Sequence, residues 1–211
     1  MFLRYSPLAL AALLFSSCGN DLQIVSKERA LSGSSHMSAS QYQTVDPSSG
    51  LVAKGQGMAK DKHGMPFYSN ERVRYVRTTA YTHTESDHIE YGAMNAAGTP
   101  LRYGRNVISA AADWSVYPVG TVFRIKGLSP LFVVDDYGSA LTGTATIDIY
   151  TPSKSHMAAW GRRNVEISIV RWGSYQQSAE LLSKRTHHSH CHQMYVNIQR
   201  KLGGGALTAM R

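Results

Sequence analysis

Between residues 73 and 174 the chain alternates short apolar runs with turn residues. Val73–Thr82, Asn106–Ala112, Val119–Lys126, Leu131–Asp135, Ala145–Tyr150 and Asn164–Trp172 show the two-residue period of strands that put one face on a core. One helix is predicted at Ser153–Trp160, with Pro152 near its start and Gly161 as its stop. Six short strands and one small helix predict an all-β fold, a compact closed barrel. Outside this block the periodicity fades. Residues 18–72 are rich in Ser, Gly and Gln (SGSSHMSAS, DPSSG, KGQGMAK) and read as a flexible tether. Residues 175–211 pass from a short QSAELLSK helical turn through RTHHSHCHQ to KLGGGALTAMR, and read as a mobile basic, His-rich tail.

The N-terminus changes the picture. Residues 1–17 hold one basic residue, Arg4, then the apolar run Leu8–Phe15 and two serines before Cys18. The run is too short to span a bilayer and has the build of a secretory signal. Small residues before a cysteine resemble the bacterial lipoprotein box, with Phe15 in place of its usual leucine. That resemblance implies cleavage before Cys18, its lipidation, and a membrane partner reached through the acyl chains. Gly19 rather than an aspartate follows, which points to the outer membrane, facing the periplasm, within the cell envelope. With Cys18 acylated, Cys191 has no partner for an internal disulfide.

Charge excludes one class of partner. The chain carries a formal +8, but residues 73–174 hold ten Lys/Arg and eight Asp/Glu, so most of the excess lies in the flanks. A nucleic-acid reader concentrates basic charge and aromatics on its folded face, so no nucleic-acid partner is expected. Basic flanks on an exported protein suit anionic lipid or cell-wall polymer.

Three aspartates stand out. Asp113 precedes a Pro-Val-Gly turn in SAAADWSVYPVGT, and Asp136 ends a strand in VVDDYGSALTG, where Gly138 and Gly143 bracket a tight loop. Asp148 lies within ATIDIY. Its neighbours Ile147 and Ile149 share one face, and Thr146, Asp148 and Tyr150 share the other. A mid-strand carboxylate opposite two core isoleucines is costly unless it is solvated or used.

TTAYT, AADWSVYPVGT, VVDDYGSALTGTATIDIYTPS and WGRRNVEISIV together resemble, in order and spacing, the three-aspartate (3D) domain. This is a double-psi β-barrel found in membrane-bound lytic transglycosylases and stationary-phase cell-wall lytic proteins. The resemblance covers about residues 76–172. It implies a lytic transglycosylase that cleaves the β-1,4 bond between N-acetylmuramic acid and N-acetylglucosamine in peptidoglycan. By the same resemblance Asp148 is the acid/base, Asp136 opens the glycine loop and Asp113 is the first of the three catalytic aspartates. The chemistry suits one carboxyl: it protonates the leaving oxygen, and the sugar's own 6-hydroxyl then attacks to give a 1,6-anhydro product. Asp148 would have to carry a proton near neutral pH. Tyr81, Thr146, Tyr150 and Gly138 are the candidate substrate-binding residues, and Tyr81 reads equally as a core tyrosine. The loop departs from the family's Asp-Thr-Gly-Gly-Ala-Ile-Lys-Gly: its lysine is replaced by Thr142, one extra residue precedes Asp148, and Asp135 competes with Asp136 for the motif position. Trp114 stands where a proline is usual. The groove is expected to be shallow unless a second copy of the chain, a homodimer, supplies an opposite wall.

Two rival readings use the same residues. One is a non-catalytic, expansin-like glycan binder; the other is an inverting glycoside hydrolase with Asp113 or Asp136 as base. No cofactor is expected. His187, His188, His190, Cys191 and His192 crowd onto a tail without the spacing by which a fold grips a metal, so no metal site is assigned. The mixed cluster His83, Glu85, Asp87, His88 and Glu90 reads as a solvated loop, with contact to the substrate rim as its second reading. Trp114, Trp160 and Trp172 are candidates to stack on sugar rings, and Trp160 fits the core better.

Overall fold

The structure is a computed structural model and describes residues 46–85, 89 and 92–209. Cys18 and the expected signal lie outside the described residues, as do Asp87, His88 and Glu90 of the mixed loop.

The expected runs become β1 (Val73–Tyr81), β2 (Val107–Ala112), β3 (Val122–Ile125), β4 (Leu131–Asp136), β5 (Ile147–Tyr150) and β6 (Arg163–Arg171). They close into a barrel in the order β1-β5-β2-β4-β3-β6. β1 runs parallel to β5 and β2 parallel to β4, and the antiparallel β2–β5 seam joins the two pairs. Alternation decides the interior. Val76, Ile108, Phe123, Phe132, Ile147 and Ile167 are fully buried, and the Phe123 and Phe132 rings stack at 5.3 Å. The residues between them face outward, which puts Asp148 on the wall.

Gly173, just beyond β6, passes so close to the 118–121 turn that a Cβ would lie 2.1 Å from the Val119 carbonyl oxygen and 2.4 Å from that of Pro118. No side-chain adjustment relieves a clash with backbone. Gly173→Ala is therefore expected to cost about 3 kcal/mol or more, read as a lower urea midpoint. An unchanged midpoint would contradict this packing.

Two flanks are corrected. The described residues hold four α-helices, α1 (Ser49–Gln56), α2 (Lys154–Trp160), α3 (Tyr175–Ser183) and α4 (Ser189–Ala209), and the tail reading of residues 175–211 fails because α3 and α4 pack on the barrel. Leu182, Cys191, Met194 and Ile198 are fully buried in the barrel's own hydrophobic cluster. The Ser178 hydroxyl accepts from the Val119 N–H at 2.9 Å, and Arg185 donates to the Ala96 carbonyl at 2.8 Å. The Tyr137 ring lies edge-on to Trp114 at 5.0 Å, with its hydroxyl 3.3 Å from Cys191 Sγ.

The tether reading fails for its described part, residues 46–72. It contains α1 (Ser49–Gln56) and a turn built on Asp61. The buried Asp61 carboxylate accepts from the N–H groups of His63 (2.8 Å) and Met65 (2.9 Å) through one oxygen and from Ala145 (2.8 Å) through the other. Three main-chain donors from two segments dock this strap beside the glycine loop. Polar capping holds it, which a hydrophobic pattern does not reveal.

Candidate functional site: a carboxylate row on the barrel wall

The register of three neighbouring strands builds the site. Asp136 of β4 pairs with Ala111 of β2, Ala111 pairs with Asp148 of β5, and Asp148 pairs with Thr79 of β1. The four residues form one row across the outer wall. Two strand spacings separate Asp136 from Asp148, roughly 10 Å between Cα atoms. Ala111 leaves a low floor between two acidic side chains.

A β-bulge decides which aspartate belongs to the row. The β2–β4 register steps from Ala110↔Val134 to Ala111↔Asp136, which leaves Asp135 as the extra residue. Asp136 accepts from the Tyr81 hydroxyl at 2.9 Å through one oxygen, and from the N–H groups of Ala96 (3.0 Å) and Tyr137 (2.9 Å) through the other. It is buried, and it fixes Tyr81. Burial and then the Asp136 charge push the Tyr81 phenol well above its ordinary pKa, so it stays a neutral donor.

Asp148 is placed differently. It is half-buried rather than enclosed, and the Thr79 hydroxyl donates to its Oδ1 at 2.7 Å. One step along the same face stand Tyr81 and Tyr150, paired in register, with ring centroids 5.6 Å apart and edge-on. Tyr103 meets Tyr150 edge-on at 6.5 Å and His156 at 5.9 Å. Tyr81, Ala111, Leu141 and Tyr150, with Leu101 and Tyr103 against them, form a second apolar cluster, separate from the barrel core and on its outer wall. His83 Nδ1 lies 2.8 Å from the Tyr150 hydroxyl, so this residue of the mixed cluster packs on the aromatic group. A carboxyl beside an aromatic-walled floor is chemistry suited to a sugar ring and its glycosidic oxygen.

Two expected site residues are displaced from this surface. Asp113 is 1% exposed, and its carboxylate is spent on the loops: one oxygen accepts from the Ser115 N–H and hydroxyl, both at 2.7 Å, and the other from the Gly143 N–H at 2.7 Å. It ties the glycine loop to the turn after β2 and does not face a substrate. Gly143 has φ +75°, a backbone state that favours glycine. Thr146 is buried under His63, whose Nδ1 lies 2.9 Å from its hydroxyl. Gly138 opens a short 3-10 turn, Ser139–Leu141, and packs against Leu141. Trp114 and Trp160 are fully buried, and the Arg74 guanidinium lies over the half-buried Trp172 ring at 4.8 Å. None of the three tryptophans walls the row. Thr79, Ala111, His83 and Tyr103 do; Thr79 lies in TTAYT, Ala111 opens AADWSVYPVGT and His83 belongs to the mixed cluster, so only Tyr103 had no signal in sequence.

Asp135, the bulge residue, is buried. Its Oδ2 accepts from the Ser109 hydroxyl at 2.8 Å and lies 3.8 Å from Arg102, while its Oδ1 has no partner among the described residues. Burial is the largest cause that pushes its pKa from 3.8 up to about 7, against the opposing effects of Ser109 and Arg102. The folded protein therefore holds a proton there that the unfolded chain releases near pH 4. This group's stabilising contribution is full below about pH 4, falls as pH rises to about 7 and is flat above. A tenfold change in proton affinity is worth about 1.4 kcal/mol. Denaturant midpoints from pH 4 to 8 should lose this slope in Asp135→Asn; an identical slope in both proteins would contradict the assignment.

The comparisons with known proteins meet this geometry. The model of the 3D domain family matches residues 108–171, which carry β2 to β6 and both carboxylates of the row. This stretch is similar to the 3D domain. Bacillus subtilis (strain 168) YabE, whose name describes cell wall shaping, is 28% identical over 145 residues, 69% of this chain and 32% of that protein. The cell wall-binding protein YocH of the same strain is 30% identical over 95 residues, 45% of this chain and 31% of that protein. The chain thus spans about a third of the length of these curated relatives. Among solved structures, Escherichia coli MltA, described as a lytic transglycosylase fold, is 27% identical over 38% of this chain and 28% of that one, at a TM-score of 0.29. MltA with bound chitohexaose is similar at 26% identity over the same shares and the same score.

Proposed function

We propose that the 3D domain acts on the glycan strands of cell-wall peptidoglycan as a lytic transglycosylase, with Asp148 as the acid that later serves as base. The placement of Asp148 carries this reading: it is the carboxyl of the row that stays partly open, oriented by Thr79, beside an aromatic platform and an alanine floor. Asp148 donates its proton to the glycosidic oxygen as the bond to the anomeric carbon breaks. The resulting carboxylate takes a proton from the 6-hydroxyl of the same muramic residue, whose oxygen closes onto the anomeric carbon. The proton lost by the acid is regained from the substrate, so no water is consumed. Asp136 does not touch substrate in this scheme; it positions Tyr81, which lines the platform.

The burial of Asp113 and Asp136, each with both oxygens accepting hydrogen bonds from the protein, disfavours the inverting hydrolase, which needs a second carboxylate to activate water. The relatives named for shaping and binding the wall support a wall substrate, and YocH keeps a binding-only reading in play. A lipid anchor at Cys18 would hold the domain at the envelope membrane and bring it to this polymer. The test is digestion of purified sacculi with the full chain, followed by mass spectrometry of the soluble products. Anhydromuropeptides are expected. Pelleting with sacculi and no release would replace the enzyme with a binder.

A further inference from the structure

The wall around Asp148 is polarised. On one side lie Tyr150, Tyr81, Tyr103 and His156, an aromatic end. On the other, Arg77 and Thr146 each stand one residue before the paired Thr78 and Ile147, so Arg77 flanks Thr146 on the outer face. The docked strap adds two more groups there. Lys62 is exposed and reaches the Thr142 carbonyl at 3.3 Å, and His63 lies on the Thr146 hydroxyl. Burial first, then the Arg77 charge, holds His63 below its ordinary pKa. Asp61, at the start of the strap's turn, is buried and has both oxygens committed to main-chain donors, while Asp148 stands at the far edge of this flank.

We propose that Arg77, Lys62 and His63 form a subsite for a carboxylate carried by the glycan, on the opposite side of Asp148 from the aromatic platform. The inference rests on the glycan-strand reading above and adds a direction to it. The sugar bearing the anionic substituent lies toward the strap, and the uncharged rings lie toward Tyr150 and Tyr103. Two cations and an imidazole donor on one patch match a carboxylate in charge and in hydrogen-bonding sense. The strap therefore acts as a wall of the groove, which lets this chain do without a second copy to enclose the site. In peptidoglycan the anionic group is either the lactyl carboxylate of the muramic residue or a carboxylate of its peptide stem.

Binding of the full chain to three probes separates these cases: a neutral chitin hexasaccharide, glycan strands stripped of peptide that keep the lactyl carboxylate, and stem-bearing strands. At low salt the wild type should bind an anionic probe about tenfold more tightly than the neutral one, and 0.5 M NaCl should erase most of the difference. Arg77→Gln combined with Lys62→Gln should remove the preference and leave affinity for the neutral probe unchanged. Lys62→Glu, at an exposed position, gives a second reading that does not depend on how Arg77→Gln folds, and should invert the preference. A gain for stripped strands assigns the lactyl group, and a gain confined to stem-bearing strands assigns the peptide. Equal affinity for all three probes in wild type, or a variant that loses the neutral probe as well, overturns the subsite and leaves the glycan reading standing. No affinity for any probe overturns both.

Discussion

Asp148→Asn is expected to lower the rate of muropeptide release from sacculi by at least ~10³-fold, since loss of a general acid costs roughly 10²–10⁴ and this group acts twice. The substitution is nearly isosteric, and its amide oxygen can still accept from the Thr79 hydroxyl, which now donates to Asp148 Oδ1 at 2.7 Å. Thermal midpoint and pelleting with sacculi should therefore change little. This split between lost turnover and retained binding distinguishes a reacting group from a structural one. Release above a tenth of the wild-type rate would remove Asp148 from the chemistry. So would a large loss of binding, which would show the side chain to be a contact instead.

Truncation after Gly173 should cost the most stability. It deletes α3 and α4, and with them Leu182, Met194 and Ile198, each fully buried against the barrel. At about 1.5–3 kcal/mol per large apolar side chain, these three contribute on the order of 5–9 kcal/mol of burial, before the ordering entropy of the helices is set against it. A domain of this kind holds about 5–15 kcal/mol in total. The cut also uncovers Trp114 and Tyr137 and leaves the Val119 N–H without the Ser178 hydroxyl. The shortened chain is expected to be insoluble, or to bind a hydrophobic dye and lose its near-ultraviolet circular dichroism. A soluble fragment that unfolds cooperatively at the parent's midpoint would show the helices to be an appendage.

The strands were legible because a barrel wall enforces alternation, and ATIDIY can be read in only one way once its isoleucines are given to the core. The same logic put Asp148 outside. It also put Thr146 and Tyr150 outside, correctly, but a strand pattern does not say what covers an outer face. Thr146 proved to lie under His63 of the strap. The strap was hidden because it docks through Asp61 and main-chain donors, and the Asp-Lys-His-Gly turn was its one trace in the sequence. The C-terminal helices were hidden by composition. Cys191, Met194 and Ile198 keep the i, i+3, i+7 spacing of a buried helix face, but histidines and glycines around them gave the segment the look of a tail. Asp113 was misplaced for a simpler reason. Its bond from the Ser115 N–H is a local Asx turn, legible in Asp-Trp-Ser, while its bond from Gly143 closes over thirty residues and exists only in the fold.

Isotope labelling addresses the central claim most directly. Sacculi digested by the full chain in ¹⁸O-enriched water should yield muropeptides with no label at the anomeric carbon, because the substrate's own hydroxyl closes the ring. One ¹⁸O atom in each new sugar end would show that water is the nucleophile, and the single-carboxyl scheme built on Asp148 would be wrong.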